Sequence, residues 1–458
     1  MQLNKLNSIY STDVILHVFD WPYSEVTKKA KEIAQAGYKS VLISPPIKSK
    51  KKPEGTPWWQ RYQPTDYRVI DNQLGNTLEL KEMIEALLSH GVYTYADMVL
   101  NHMANPSDTY TDLVYPSCSE LEEYSVHSDY YQSIRLFGNL KQALFSEKDF
   151  VKAFGIKDWK DKWQVQHGRL TGGPRDPGLP TLRHSSYVSE QQREYIKALK
   201  KLGIKGFRID AAKHISLEQL QDIWREDITK DTHIFGEIIT DGGATKEEYQ
   251  LFLQPYLEKT RLGAYDFPLF QTIYNALQKE GSLKSLVDPY CFGQALSESR
   301  AVTFTITHDI PNNEVFQGLL MSEELEWLAY SYVLGRDGGV PLIYTDLNPS
   351  GIKSSDGNPR WQSVWNDHRM LARVLFHNAV HGCPMKILCA TDDILIFARG
   401  EKGVVAINKS SSSHEAKIDS KQGALELLSG ERYPVGTDGG MTILIPAKGS
   451  CLLLMAEG

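Results

Sequence analysis

Short apolar runs and segments with helix-spaced apolar positions alternate along the first four hundred or so residues. Val14-Ile15-Leu16-His17-Val18-Phe19 is dense in β-branched and aromatic residues and reads as a strand. Ser24 is the expected cap of the next helix, which carries Val26, Ala30, Ile33 and Ala34 on one face and ends at Gly37. Ser40-Val41-Leu42-Ile43-Ser44 is a second strand, stopped by Pro45-Pro46. A helix from Thr77 to His90 ends on Gly91, and Val92 to Val99 is a third strand. After a helix over 191–202, apolar runs recur at 206–210, 233–237, 264–267, 302–307 and 340–344. Strand followed by helix followed by strand means parallel pairing through crossover helices. The runs add up to eight strands, so an α/β fold of the (β/α)8 barrel type is expected.

Two stretches break the rhythm. Residues 103–186 are rich in Tyr, Asp, Gly and Pro and show no clear helical period. Roughly eighty residues of structureless loop do not fit a compact fold, so a small inserted domain is expected there. From 384 onward, runs such as 394–397, 404–407, 441–445 and 451–454 are spaced by Gly, Ser and Asp clusters, as in a small antiparallel β-sandwich. The expected division is a barrel over 1–102 and 187–383, an insertion over 103–186 and a C-terminal β-domain over 384–458.

Charge and composition remove whole classes of function. A net charge of −7 leaves no basic surplus to neutralise phosphates, which argues against nucleic acid. No apolar run is long enough for a membrane span. The segment from Met1 to Thr12 lacks a secretory pattern. A cytoplasmic monomer is therefore expected, with secretion after removal of a leader as the alternative. Five cysteines without paired spacing read as reduced, mostly buried thiols.

Active sites of such barrels lie at the C-terminal ends of the strands. The third strand ends with Asp97, Asn101 and His102, and the fourth with Arg208, Asp210, Lys213 and His214. The fifth ends with Glu237, and the seventh with His308 and Asp309. Paired carboxylates suit glycoside hydrolysis, one attacking the anomeric carbon and one protonating the leaving oxygen. Arg208 and Asp210, two apart on a strand, face the same way, so the guanidinium favours an ionised Asp210. Glu237 must be protonated to serve as an acid, which requires burial or nearby negative charge.

Asp97-Met98-Val99-Leu100-Asn101-His102, the stretch Gly206 to His214, Gly236-Glu237-Ile238-Ile239 and Thr307-His308-Asp309 resemble, in order and spacing, the four motifs of the α-amylase family of glycoside hydrolases. The resemblance implies a retaining endo-hydrolase of α-1,4-linked glucans such as starch or glycogen. Asp210 would be its nucleophile, Glu237 its acid/base and Asp309 the residue that holds the reacting sugar. His102, Arg208 and His308 would support the sugar at the cleavage point, with Lys213 and His214 on the leaving-group side. Trp58-Trp59-Gln60-Arg61-Tyr62-Gln63 resembles the loop after strand two in the animal-like branch, where Trp58, Trp59, Tyr62 and Gln63 would meet glucose rings. Trp361 and Trp365 read as packing residues.

The resemblance also implies a structural calcium, with Asn101, Asp176 and the His214 carbonyl as ligands. Thr181, however, stands where the family usually places an aspartate. Thr307 stands where relatives that bind an activating chloride carry an asparagine, so chloride activation is not expected. The alternatives are a glucanotransferase or exo-acting α-glucosidase on the same barrel, or a carbohydrate-binding protein without activity.

Overall fold

The computed structural model describes residues 12–105, 113–170, 178–437 and 439–456. Eight parallel strands close into a barrel: β1 (Ile15–Val18), β2 (Ser40–Ile43), β3 (Tyr93–Met98), β4 (Gly206–Ile209), β5 (His233–Gly236), β6 (Gly263–Tyr265), β7 (Ala301–Phe304) and β8 (Val340–Thr345). Each strand pairs with its neighbours in sequence, and β8 closes on β1 with Ile15 opposite Leu342. Most of these strand residues are buried. That explains why their sequences run continuously apolar instead of alternating.

The helices pack around this barrel. Thr77–Ser89 starts on a capping box, Asn76 accepting from the Leu78 and Glu79 amides while Glu79 accepts from the Asn76 amide. The helix expected from 191 begins earlier, spanning Ser186–Leu202, because the Ser185 hydroxyl caps it. It stops at Gly203, whose φ of 117° suits glycine. Ser24 does not cap the first helix: Tyr23–Gln35 starts on Pro22, leaving Ser24 inside the first turn.

Within the described part of residues 103–185 the chain does contain α-helices, contrary to the absence of a period in sequence. They are Cys118–Val126, Ser128–Ser133 and Lys162–His167. Each is short, so few apolar positions repeat on its buried face, and tertiary packing holds it instead. Val69, Tyr124, Tyr131, Ile134 and Leu140 form a small separate core beneath the first two.

The last strands form a six-stranded antiparallel sheet in the order Met385–Ala390, Ile394–Arg399, Gly403–Asn408, Gly449–Met455, Ala424–Glu426 and Arg432–Tyr433. A second, two-stranded sheet pairs His414–Asp419 with Gly440–Ile445. Strand alternation divides the work between the two faces. Leu395, Phe397, Val405, Ile407 and Leu452 join the barrel's own core. Ile394, Ile396, Val404 and Ala406 pack instead with Ile418, Met441, Ile443 and Ile445 of the small sheet. Trp361 and Trp365 are buried. No helix among the described residues is long and apolar enough to cross a membrane.

Candidate active site

At the C-terminal mouth of the barrel, a single guanidinium organises the carboxylates. Asp97 on β3 and Arg208 on β4 are paired in register, so both project to the same level. Arg208 Nη1 lies 2.8 Å from both Asp97 oxygens and 2.8 Å from Asp210 Oδ1. Arg208 Nη2 lies 2.5 Å from Glu237 Oε1. Arg208 is 1% exposed and Asp97 wholly buried, so water does little to screen the group.

Asp210 is followed by Ala211 in the left-handed region at φ 47°, a conformation alanine adopts only under constraint. The turn aims the Ala211 amide at Glu237 Oε2, to which it donates at 3.0 Å. The ends of β4 and β5 are thereby tied together at the place where the two carboxyl groups meet.

Four buried carboxyl groups around one guanidinium cannot all be ionised cheaply, and they titrate as a cluster. Burial lifts the Glu237 carboxyl to about 7 against the pull of Arg208, helped by the charge of Asp309 and a hydrogen bond with it. Asp309 is raised by burial and held down by that same hydrogen bond from Glu237. Burial also raises Asp210, with the direct contact to Arg208 opposing it. Glu237 thus holds its proton near neutral pH. The surrounding imidazoles stay uncharged: burial pushes His308 down to about 3, and His102 and His214 down to about 4.

The loop after β2 supplies the aromatic wall. Trp58–Tyr62 is a single 3-10 turn pinned by Arg61, a buried residue that donates to Asp20 Oδ1 at 2.7 Å and to the Thr56 carbonyl at 3.0 Å. Tyr62 donates its hydroxyl to Asp97 at 2.9 Å. The His308 ring is stacked between Phe19, at 4.6 Å, and Tyr62, at 5.3 Å, with Trp58 edge-on at 5.9 Å. Trp59, 44% exposed, stands at the rim. Gln63 faces the same cleft, its Oε1 accepting from the Asn105 amide at 2.9 Å.

On the opposite flank, Lys213 donates to the Ile239 carbonyl and sits 3.2 Å from Glu248. His214 Nδ1 lies 2.8 Å from the Val165 carbonyl, and its ring meets Trp159 edge-on at 5.9 Å. His102 is less free than expected: its Nε2 lies 3.0 Å from the Tyr62 carbonyl and its Nδ1 3.4 Å from the Asn101 amide. The cleft between these walls measures about 840 Å³ and is lined by Trp58, Trp59, Tyr62, Gln63, His102, Asp210, Lys213, His214, Glu237, His308 and Asp309. Arg208 lies beneath them and Asn101 is buried.

The oxygens expected to hold calcium form a poor set. Calcium takes six to eight oxygens, with carboxylates among them. The Thr181 hydroxyl donates to the Gly168 carbonyl at 2.9 Å, and the Asn101 amide nitrogen is turned toward His102. That leaves the Asn101 Oδ1 and the His214 carbonyl, both neutral. Asp176 lies outside the described residues. The described ligands therefore do not fit calcium by themselves.

Three features of the site are not legible in sequence. Asp97 was noted at a strand end, but its pairing with Arg208 spans 111 residues and shows only in the barrel. Arg61 looked like part of an aromatic loop, and nothing local marked it as the loop's anchor. Trp159, 48% exposed beside His214, lay in the segment without a readable period.

A closed parallel barrel with a carboxylate cluster and an aromatic-walled cleft at its C-terminal mouth is the architecture of a glycoside hydrolase. The alpha-amylase catalytic-domain family matches residues 23–265, and the chain belongs to that family. It is 48% identical over 407 residues to an alpha-amylase of Aeromonas hydrophila, covering 89% of this chain and 86% of that one. An alpha-amylase of Thermomonospora curvata is 30% identical over 432 residues, covering 88% of this chain and 64% of that one. Among solved structures, alpha-amylase I of the earthworm Eisenia fetida superposes with a TM-score of 0.76 at 21% identity, covering 97% of this chain and 98% of that one. The enzyme is an alpha-amylase-type glycoside hydrolase.

Proposed function

We propose that this enzyme cleaves internal α-1,4 bonds of starch- or glycogen-type glucans by a retaining double displacement through Asp210, Glu237 and Asp309. The observation that carries the proposal is that Asp210 and Glu237 meet on one guanidinium at the barrel mouth, where burial lifts Glu237 to about 7 so that it keeps a proton near neutral pH. Glu237 gives that proton to the glycosidic oxygen as its bond to the anomeric carbon breaks, and an Asp210 oxygen bonds to that carbon. Glu237, now ionised, takes a proton from water; the resulting hydroxide displaces Asp210 and restores both carboxyls. Asp309, hydrogen-bonded to Glu237 before sugar enters, turns to the hydroxyls of the reacting ring.

Endo action is favoured by exposed aromatics on both flanks of the cleft, Trp59 on the loop after β2 and Trp159 beside His214, on which glucose rings on either side of the cut can stack. A mutant of the earthworm enzyme has been solved in complex with maltohexaose. Calcium carries no step here, because the described oxygens at the Asn101 junction are uncharged.

The product profile from maltoheptaose tests the reading. Early release of mid-length maltooligosaccharides in the α-configuration, with rapid loss of starch–iodine colour, is expected. Glucose alone with the colour retained indicates an exo-acting glucosidase, and products longer than the substrate indicate transfer. Binding without turnover would make the chain a carbohydrate-binding protein.

A further inference from the structure

At the other end of the barrel, Asp13 precedes β1 and faces the last barrel helix, His368–Val380. His377 Nε2 lies 2.7 Å from Asp13 Oδ1, and His381 Nδ1 lies 3.8 Å from the same oxygen. The histidines are four apart, so one helical turn brings them to the same side, with ring centroids 5.7 Å apart. His377 is buried, and its Nδ1 lies 3.1 Å from the Leu334 carbonyl. Only an N–H satisfies a carbonyl, so Nδ1 carries a proton, and in a neutral ring Nε2 is left as a lone pair. A lone pair 2.7 Å from a carboxylate oxygen is repulsive unless a proton or a cation stands between them. A backbone carbonyl on the far ring nitrogen is also what orients metal-ligating histidines. Among the described residues, Asp13, His377 and His381 are the group of ligand side chains whose donor atoms all lie within 4.8 Å of one another.

We propose that Asp13, His377 and His381 form a site for a divalent transition-metal ion, with zinc the best match. Two imidazoles and one carboxylate are zinc's own ligand types, and three protein ligands leave the fourth tetrahedral position to water. Calcium and magnesium, which take oxygen, are disfavoured. Bonds of about 2.0–2.1 Å in a tetrahedron set ligand atoms roughly 3.3 Å apart. Asp13 and His377 therefore part slightly while His381 closes in, and the exposed His381 side chain has room to do so. The neighbouring ionisable groups beyond the two histidines that feel the charge of Asp13 are Tyr95, His233 and Arg399, and Arg399 is held on the carbonyls of Gly335, Arg336 and Cys383. A bound ion would join the segment before β1 to the end of the last barrel helix, bracing the barrel at its base, remote from the sugar cleft.

The full chain, stripped with chelator, is titrated with zinc by calorimetry and with cobalt by absorption. One bound zinc is expected, with affinity about tenfold or more weaker in His381→Ala and in Asp13→Asn. Zinc should raise the melting temperature of the parent by a few degrees and leave His381→Ala unmoved. His381→Ala should hydrolyse starch at the parent rate. Bound cobalt should show visible ligand-field bands without near-ultraviolet thiolate charge transfer, which separates this site from the five free cysteines. Undiminished zinc binding in both variants, a thiolate-dominated cobalt spectrum or no stoichiometric binding would each overturn the proposal, the last leaving Asp13 paired with a plain imidazolium.

Discussion

Two buried arginines of this enzyme sit among carboxylates in opposite ways. Arg68 meets a single partner, Asp66, at 2.9 Å, and its remaining N–H groups reach the carbonyls of Asn139 and Gln142. Asp66 in turn accepts from the Tyr124 hydroxyl at 3.0 Å. Charge is matched one to one and nearly every donor is used. Arg208 instead is shared among Asp97, Asp210 and Glu237, with Asp309 alongside, and the surplus is negative. The balanced pair holds the insertion to the barrel. The unbalanced cluster must retain a proton, and a retained proton at neutral pH is what acid catalysis needs.

The sharpest way to break this contrast is to remove a charge from each side. Asp210→Asn should lower starch hydrolysis by about four orders of magnitude, while thermal unfolding shows the melting temperature kept or raised, since one member of a repulsive set is gone. A near-parental rate would sink the nucleophile assignment. Arg68→Met should do the reverse. It strands Asp66, which is wholly buried, and should cost about 3–5 kcal/mol in denaturant unfolding. The rate per folded molecule should stay close to the parent's.

A gentler probe is pH. Glu237 must be protonated to act as acid, so turnover should fall about tenfold per pH unit above its value of about 7, while the need for an ionised Asp210 brings a separate fall on the acid side. Glu237→Gln, already slow, should lose that alkaline limb, and a limb that survives in the variant would assign it to another group. The smallest effects belong to ions. Replacing chloride with acetate, or dialysing against chelator, should change the rate by less than about twofold, because Thr307 and Thr181 supply no charge or amide at those positions.

The barrel was legible because strands buried on both faces spell continuous apolar words, and the observed strands differ from the expected ones by only a few residues. The insertion was not, because its helices are short and their buried faces repeat too few times to show a period. Its readable signals are the capping boxes of Ser117 with Glu120 and of Ser146 with Asp149. In the C-terminal domain, the edge strands Met385–Ala390, His414–Asp419 and Arg432–Tyr433 escaped notice because their exposed faces are polar or mixed. Within the site, the motif residues and the rim aromatics could be named in advance. What could not be read was the sharing of Arg208, since Asp97, Asp210 and Glu237 come from three strands and meet only when the barrel closes.

The left-handed turn at Ala211 has a bearing on inhibition. By fastening the Asp210 and Glu237 strands together, it keeps the negative surplus in place before any sugar arrives. The cleft is therefore already shaped, electrically, for a ring that carries positive charge. A protonated iminosugar should be held more tightly than the neutral sugar it imitates, and its grip should follow the ionisation of inhibitor and cluster together.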